Sequence, residues 1–175
     1  MSYDLDKYIR SIPDFPKEGI NFRDITTLLK DPEGLNEAIK SFEEALDGTE
    51  FDVVVGPEAR GFLFGVPVAY NLGKGFVPVR KPGKLPGKTI SQSYDLEYGT
   101  NEIEIHEDAI EPGQRVVIID DLMATGGTVE AIIKLCERIG AKVEKVVCLI
   151  ELEGFDAKSK LGDIPFKGLI KYPDA

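Results

Sequence analysis

The segment from Val116 to Thr128 constrains the fold more than any other part of this 175-residue chain. It reads VVIIDDLMATGGT. Its four leading residues, Val116 to Ile119, are all branched and apolar, which predicts a strand buried on both faces, as in a parallel sheet. A short turn follows the strand, and apolar residues at helical spacing then extend to Ile139. A buried strand, a turn and an amphipathic helix in this order indicate an α/β fold.

The turn between this strand and this helix predicts an anion site. After the turn, Thr125, Gly126, Gly127 and Thr128 open the helix. Helix N-termini present unpaired N–H groups and the positive end of the helix dipole, glycines let the backbone approach an anion closely, and hydroxyls add donors. Asp120 and Asp121 end the strand beside this turn, where carboxylates suit sugar hydroxyls or a metal ion. The segment fits a ribose 5-phosphate with a free diol, although an ordinary Asp-containing turn and helix cap would share the pattern.

Composition bounds the classes of function. Lys plus Arg is 21 and Asp plus Glu is 31, and the resulting net charge of −10 disfavours nucleic-acid binding, which needs a basic face. No stretch approaches the ~20 apolar residues of a membrane helix, and the N-terminal residues lack the apolar core of a signal peptide. Cys136 and Cys148 lie in apolar patterns typical of reduced core cysteines. We therefore expect a cytoplasmic protein that binds neither nucleic acid nor membranes.

One basic segment stands out against this acidic background. Residues 80–88 read RKPGKLPGK and carry four of the 21 cations: Arg80, Lys81, Lys84 and Lys88. A local concentration of positive charge suits a bound anion such as pyrophosphate. A solvated basic loop would have the same composition, and charge alone does not separate the two interpretations.

Strand and helix patterns alternate along the chain and predict a doubly wound, mainly parallel sheet in a single domain, residues 1–175. Strands are predicted at residues 52–56, 75–80, 116–119, 142–150 and 166–172, and helices at 3–10, 31–47 and from Arg60 onward despite Pro67.

A long Gly-, Pro- and Lys-rich excursion covers residues 81–101, and residues 92–98 and 102–106 are predicted to pair as a hairpin arm. Ligand-binding loops of a doubly wound fold follow the carboxyl ends of strands. Residues 56–61, 80–88 and 120–128 should therefore converge on one crevice.

Four segments resemble a known family. Residues 116–128 resemble the 5-phosphoribosyl-1-pyrophosphate binding motif of type I phosphoribosyltransferases. Within that group the other three are similar to adenine phosphoribosyltransferases: GPEARGF at 56–62 to the pyrophosphate loop, FPKEGINFRDIT at 15–26 to the N-terminal hood, and SYDLEYG at 93–99 to the mobile catalytic loop. The resemblance implies a type I phosphoribosyltransferase fold, with a small hood (about 1–30 plus part of the C-terminal tail) and a mobile β-arm (about 81–106).

The resemblance also implies the residues of the site. Phosphoribosyl pyrophosphate and AMP would be bound by Asp120, Asp121, Ala124, Thr125, Gly126, Gly127, Thr128, Glu58, Ala59, Arg60, Arg80, Lys81, Lys84 and Tyr98. Adenine would be bound by Asn21 through its main chain, by Phe22 and Arg23, and by Leu122. Glu97 would transfer a proton to or from adenine, and Arg60 would hold the pyrophosphate. A non-proline cis peptide would join Glu58 to Ala59.

Residue types alone allow simpler roles for three of these side chains. Arg60 could cap a helix start, Phe22 could be a core residue, and Glu97 could be a solvated residue of an exposed hairpin.

The resemblance further implies the reaction. Adenine and phosphoribosyl pyrophosphate would give AMP and pyrophosphate with Mg²⁺ as cofactor, held mainly by pyrophosphate, ribose and water rather than by direct protein ligands. Ala124 favours adenine because hypoxanthine-guanine enzymes carry an aspartate there. A homodimer is implied, with Arg80 and Lys81 near the subunit boundary. The alternatives are a 6-oxopurine or xanthine phosphoribosyltransferase and a regulator that binds phosphoribosyl pyrophosphate as an effector.

Overall fold

A five-stranded parallel sheet forms the centre of the computed structural model, which describes residues 2–96 and 99–173. Its strands are β3 (Val53–Pro57), β4 (Gly75–Val79), β7 (Arg115–Met123), β8 (Lys142–Leu152) and β9 (Phe166–Tyr172). They lie in the order β4-β3-β7-β8-β9 across the sheet. The parallel α/β sheet that the sequence predicted is confirmed. That residues 1–175 make up a single domain stays a prediction.

Helices cover both faces of this sheet. They are α1 (Thr26–Lys30), α2 (Pro32–Ala45), α3 (Arg60–Asn71) and α4 (Gly127–Ile139). Helix α2 begins where Asp31 predicts it, because the Asp31 carboxylate accepts hydrogen bonds from the N–H groups of Glu33 and Gly34 at 2.9 and 3.0 Å. Helix α3 continues through Pro67, as predicted. None of the described helices is long and apolar enough to cross a membrane.

The core has two layers, one on each face of the sheet. Alternate residues of β7 enter different layers: Val116 and Ile118 pack with α4, whereas Val117 and Ile119 pack with α2 and α3. Strand β7 is longer than its apolar run, since it continues through Asp120 and Asp121 to Met123. The acidic pair therefore belongs to the buried strand rather than to the turn after it, and the sheet fixes its position.

Two small antiparallel pairs lie outside the sheet. Strands β1 (Arg10–Ile12) and β2 (Phe22–Asp24) form a ribbon, and the helix predicted over residues 3–10 is only a 3-10 turn, Asp6–Tyr8. The ribbon is tied to α1 by Asp24, whose carboxylate accepts hydrogen bonds from the N–H and hydroxyl of Thr26 and from Arg10. These bonds lower the pKa of Asp24 to about 2.

The second pair is the predicted hairpin arm. Strands β5 (Thr89–Leu96) and β6 (Gly99–His106) pair along their whole length, so each is longer than the sequence pattern indicated. The base of the arm joins the end of β4 through reciprocal backbone hydrogen bonds between Arg80 and Glu104, at 3.0 and 2.7 Å. The Glu104 carboxylate also accepts hydrogen bonds from the Gly83 N–H and the Thr89 hydroxyl.

Candidate active site

A cleft of about 280 Å³ opens at the carboxyl edge of the central sheet. Parts of all three segments predicted to converge line it. They are residues 57–58 and 60 at and after the end of β3, 79–81 at and after the end of β4, and 120–129 at the end of β7 and the start of α4. The arm contributes Tyr94 and Ile103 from a fourth side. The convergence follows from the parallel register, which places the carboxyl ends of β3, β4 and β7 at one edge.

The acidic pair lies on the floor of this cleft. Asp120 and Asp121 are 8% and 7% exposed, and the Asp121 N–H donates to Asp120 Oδ1 at 2.7 Å. Asp121 Oδ2 also lies 3.0 Å from Nε of Arg60, the first residue of α3. Burial, and then the neighbouring charge of Asp121, raise the pKa of Asp120 well above its usual range. The carboxyl oxygens of the pair can accept hydrogen bonds from the hydroxyls of a sugar.

The cationic side of the cleft is organised by Glu58. The peptide bond between Glu58 and Ala59 is cis, as the resemblance implied. The Glu58 carboxylate accepts hydrogen bonds from the Lys81 N–H at 2.8 Å and from Arg80 Nε at 3.1 Å. The Lys81 N–H and then the Arg80 guanidinium hold the pKa of Glu58 below its usual range. Arg80 and Lys81 line the cleft, whereas Lys84 is exposed on the following loop and does not line it.

The opposite wall of the cleft is an anion cradle, which comprises residues 124–128. All five of these residues line the cleft. Gly126 has a φ of +85° immediately before α4, a conformation that favours glycine. A Cβ at Gly126 would lie 3.1 Å from that of Ala157, and a Cβ at Gly127 would lie 3.2 Å from Tyr94 Cδ2. Neighbouring residues thus leave no room for a side chain at either glycine. Without side chains there, the backbone N–H groups at the start of α4 remain accessible to an anion.

The residues assigned to adenine are divided between two places. Leu122 lines the cleft, whereas Asn21, Phe22 and Arg23 lie on or beside β2 and are not among its lining residues. Phe22 is partly buried against Phe15, with ring centroids 5.2 Å apart, and it belongs to neither core layer.

The other two hood side chains differ in their bonding. Arg23 donates a hydrogen bond to the Ser11 hydroxyl at 2.7 Å and stacks 3.8 Å above the Tyr172 ring. Asn21 Oδ1 is buried and has no hydrogen-bond partner among the described residues.

The arm packs along α4. Arg138 Nη1, in the last turn of the helix, donates to the Ser91 carbonyl at 2.6 Å, and the Tyr94 side chain lies against Gly127 at the start of the helix. Glu97 and Tyr98, predicted for catalysis and substrate binding, lie outside the described residues. Tyr94 and Ile103, which line the cleft, were not predicted as site residues, because their positions depend on how the hairpin docks on the sheet rather than on any local motif.

Comparison with known proteins identifies the family. Residues 24–167 match the phosphoribosyl transferase domain model. The chain is 59% identical to an adenine phosphoribosyltransferase of Clostridium botulinum, strain Alaska E43, over 97% of this chain and 98% of that protein. It is 58% identical to the enzyme of that name from Lachnoclostridium phytofermentans, over 96% and 97% of the two chains.

Solved structures agree with this assignment. A crystal structure of adenine phosphoribosyltransferase from Thermoanaerobacter pseudethanolicus aligns with a TM-score of 0.94 at 54% identity, covering 97% of this chain and 98% of that one. The Saccharomyces cerevisiae enzyme, complexed with an imino-altritol bisphosphate and adenine, aligns with a TM-score of 0.89 at 40% identity over 95% and 96% of the chains. The cradle, the acidic pair and the cis Glu58–Ala59 loop therefore stand in a chain that belongs to the adenine phosphoribosyltransferases.

Proposed function

We propose that this protein transfers the 5-phosphoribosyl group from phosphoribosyl pyrophosphate to adenine, giving AMP and pyrophosphate in purine salvage. The observation that carries the proposal is a single cleft with an anion cradle on one wall, arginines on the other and an acidic pair between them. Two anionic groups joined by a diol-bearing sugar match that order. Adenine is favoured over 6-oxopurines because Ala124 offers no carboxylate to the base.

The two walls divide the substrate between them. The cradle would hold the 5′-phosphate, and Asp120 and Asp121 would bind the ribose hydroxyls. Arg60 and Arg80 would contact the pyrophosphate and offset its charge as the bond from C1 to the pyrophosphate oxygen breaks. The adenine nitrogen then bonds to C1 and gives up its proton. Most of the catalysis in this scheme is positioning and charge stabilisation.

Glu97 is our candidate for the base that accepts the proton from adenine. The assignment rests on the resemblance of residues 93–99 to the catalytic loop of the family. Glu97→Gln should lower kcat with little change in the KM for phosphoribosyl pyrophosphate, because the substitution removes the base and leaves the cradle and the arginines unchanged. An unchanged kcat would remove Glu97 from the chemistry.

Mg²⁺ is the proposed cofactor. Within residues 2–96 and 99–173, no cluster of three or more His, Cys, Asp or Glu side chains could hold a metal by itself. Magnesium usually keeps several waters and binds substrate phosphates, so pyrophosphate, the ribose hydroxyls and water would hold it beside Asp120 and Asp121, with few direct protein ligands. When bound, the ion would neutralise pyrophosphate charge. Activity should disappear with EDTA and return with added Mg²⁺; turnover without any divalent ion would refute the assignment.

We also propose a homodimer in the cytoplasm. Helix α3 exposes Leu63, Val66 and Tyr70 at 44%, 48% and 83%, and their spacing places them on one side of the helix. A second copy of the chain would cover this apolar stripe. Sedimentation should give a mass twice that of the 19.3 kDa monomer, and Val66→Asp should lower the measured mass towards that of one chain. A wild-type monomer at micromolar concentration would contradict the dimer.

The decisive experiment is release of pyrophosphate from phosphoribosyl pyrophosphate and Mg²⁺ with each purine base in turn. Turnover with adenine alone is the expected result. Turnover with hypoxanthine or guanine would overturn the inference from Ala124. Binding of phosphoribosyl pyrophosphate without turnover on any base would favour the effector-binding alternative.

A further inference from the structure

Tyr94 connects the arm to the anion cradle. Its ring lies against Gly127, and its hydroxyl oxygen lies 3.3 Å from the Thr128 hydroxyl at the start of α4. Asn101, the residue paired with Tyr94 across the hairpin, donates its side-chain N–H to the same oxygen at 3.3 Å. Asn101, Tyr94 and Thr128 thus form a continuous line of polar groups from the arm to the cradle.

We infer that Tyr94 is a positioning residue for the 5′-phosphate and acts through Thr128; the inference rests on the cradle binding this phosphate, as proposed above. The Tyr94 oxygen accepts hydrogen bonds from the Asn101 side-chain amide and from the Thr128 hydroxyl. When a phosphate oxygen takes the hydrogen bond of the Thr128 O–H, the Tyr94 O–H can rotate to donate to the Thr128 oxygen in its place. Thr128 then directs its O–H to a phosphate oxygen. Each hydrogen bond in such a chain polarises the next, and the last one is charge-assisted.

The role of the Tyr94 hydroxyl can be tested separately from the packing of its ring. The ring is partly buried against the core layer that contains α4, and it fills the space beside Gly127. Tyr94→Phe keeps this ring and removes only the hydroxyl. Without it, Thr128 loses the hydrogen-bond partner that fixes the orientation of its side chain, and its O–H is free to rotate away from the phosphate.

The test is a double-mutant cycle read by calorimetric binding of ribose 5-phosphate. Tyr94→Phe should raise the Kd about fivefold, as for one neutral hydrogen bond, and Thr128→Val about tenfold or more. The double variant should bind no more weakly than Thr128→Val alone, because Tyr94 acts only through Thr128. The Kd for pyrophosphate should be unchanged in all three, which a general structural disturbance would not predict.

Tyr8→Phe is the matched control, since Tyr8 is also partly buried and lies away from the cleft. It should leave the Kd for ribose 5-phosphate unchanged. Wild-type affinity in Tyr94→Phe, or a full additive loss in the double variant, would overturn the relay while leaving the proposed reaction intact. Failure of the wild-type protein to bind ribose 5-phosphate would remove the cradle assignment and the relay with it.

Discussion

The two walls of the cleft bind anions by different means. The cradle wall consists of backbone N–H groups and threonine hydroxyls at the start of α4, and no charged side chain belongs to residues 124–128. The opposite wall consists of arginines that already have carboxylate partners, since Arg60 contacts Asp121 and Arg80 contacts Glu58. One wall is a local piece of backbone, whereas the other is assembled from three separate segments.

This difference indicates what each wall contributes. A backbone cradle is fixed before the ligand arrives and keeps its geometry at any pH at which the protein is folded. The arginine wall must exchange protein carboxylates for ligand oxygens, so its strength depends on charge. We therefore expect the arginine wall to serve the chemical step, in which charge develops on pyrophosphate, and the cradle to serve binding.

Substitution of Arg60 should reduce activity more than any other change proposed here. Arg60→Met removes the guanidinium that contacts Asp121 and would face the pyrophosphate, and we expect kcat/KM to fall by roughly 10²–10³-fold, mainly through kcat. Steady-state kinetics with both substrates measures this.

Arg115→Met is the matched control for Arg60. Arg115 also pairs with carboxylates, Asp52 and Glu50, but it lies at the opposite end of β7 from the acidic pair. The control should leave kcat/KM within about twofold of wild type, as expected for a surface ion pair. Equal losses in the two variants would contradict the assigned division between the walls.

Gly126 should give the next largest effect, on binding rather than on rate. Gly126→Ala places a side chain at a φ of +85° and 3.1 Å from the Ala157 Cβ. The KM for phosphoribosyl pyrophosphate should rise at least about tenfold, because the cradle must shift to relieve the strain.

Gly140→Ala is the control for Gly126, at the other end of the same helix. Its φ is +96° and its Cβ would lie 3.3 Å from that of Pro112, so the strain is similar but distant from the cleft. It should lower Tm without changing KM. A KM that rises equally in both variants would show that loss of helix stability, not cradle geometry, is responsible.

Substitution of Glu58 should have the smallest effect on substrate binding, and its effect on Tm should depend on pH. Its folded-state pKa lies below the ordinary value of 4.5, so its contribution to stability is present above about pH 4.5 and is lost as pH falls through the folded value. Glu58→Gln should therefore lower Tm by a few degrees at pH 7, and the gap should narrow on acidification. Its KM for phosphoribosyl pyrophosphate should rise about twofold to fivefold, since Arg80 loses its anchor. A Tm difference that persists unchanged below the folded pKa would refute the pairing.

The same contrast explains what the sequence could predict. The sheet, the helix starts at Asp31 and Gly127, and the cradle follow from local patterns, in which each residue's neighbours along the chain settle its conformation. The partners of Arg60 and Arg80 could not be predicted, because they depend on the register of three strands and on a turn after β3. The docking of Tyr94 was missed for the same reason, whereas Asp120 and Asp121 lie in the strand, as predicted, which continues beyond them to Met123.

The last strand of the sheet also has a consequence for the order of synthesis. Strand β9 ends at Tyr172, whose ring lies under Arg23 and whose hydroxyl donates to Asp6, 166 positions earlier in the chain. Asp6 and Arg23 therefore leave the ribosome long before Tyr172, the residue that they contact. Their contacts with β9 can form only after translation has passed Tyr172, so the hood docks on the sheet late in synthesis.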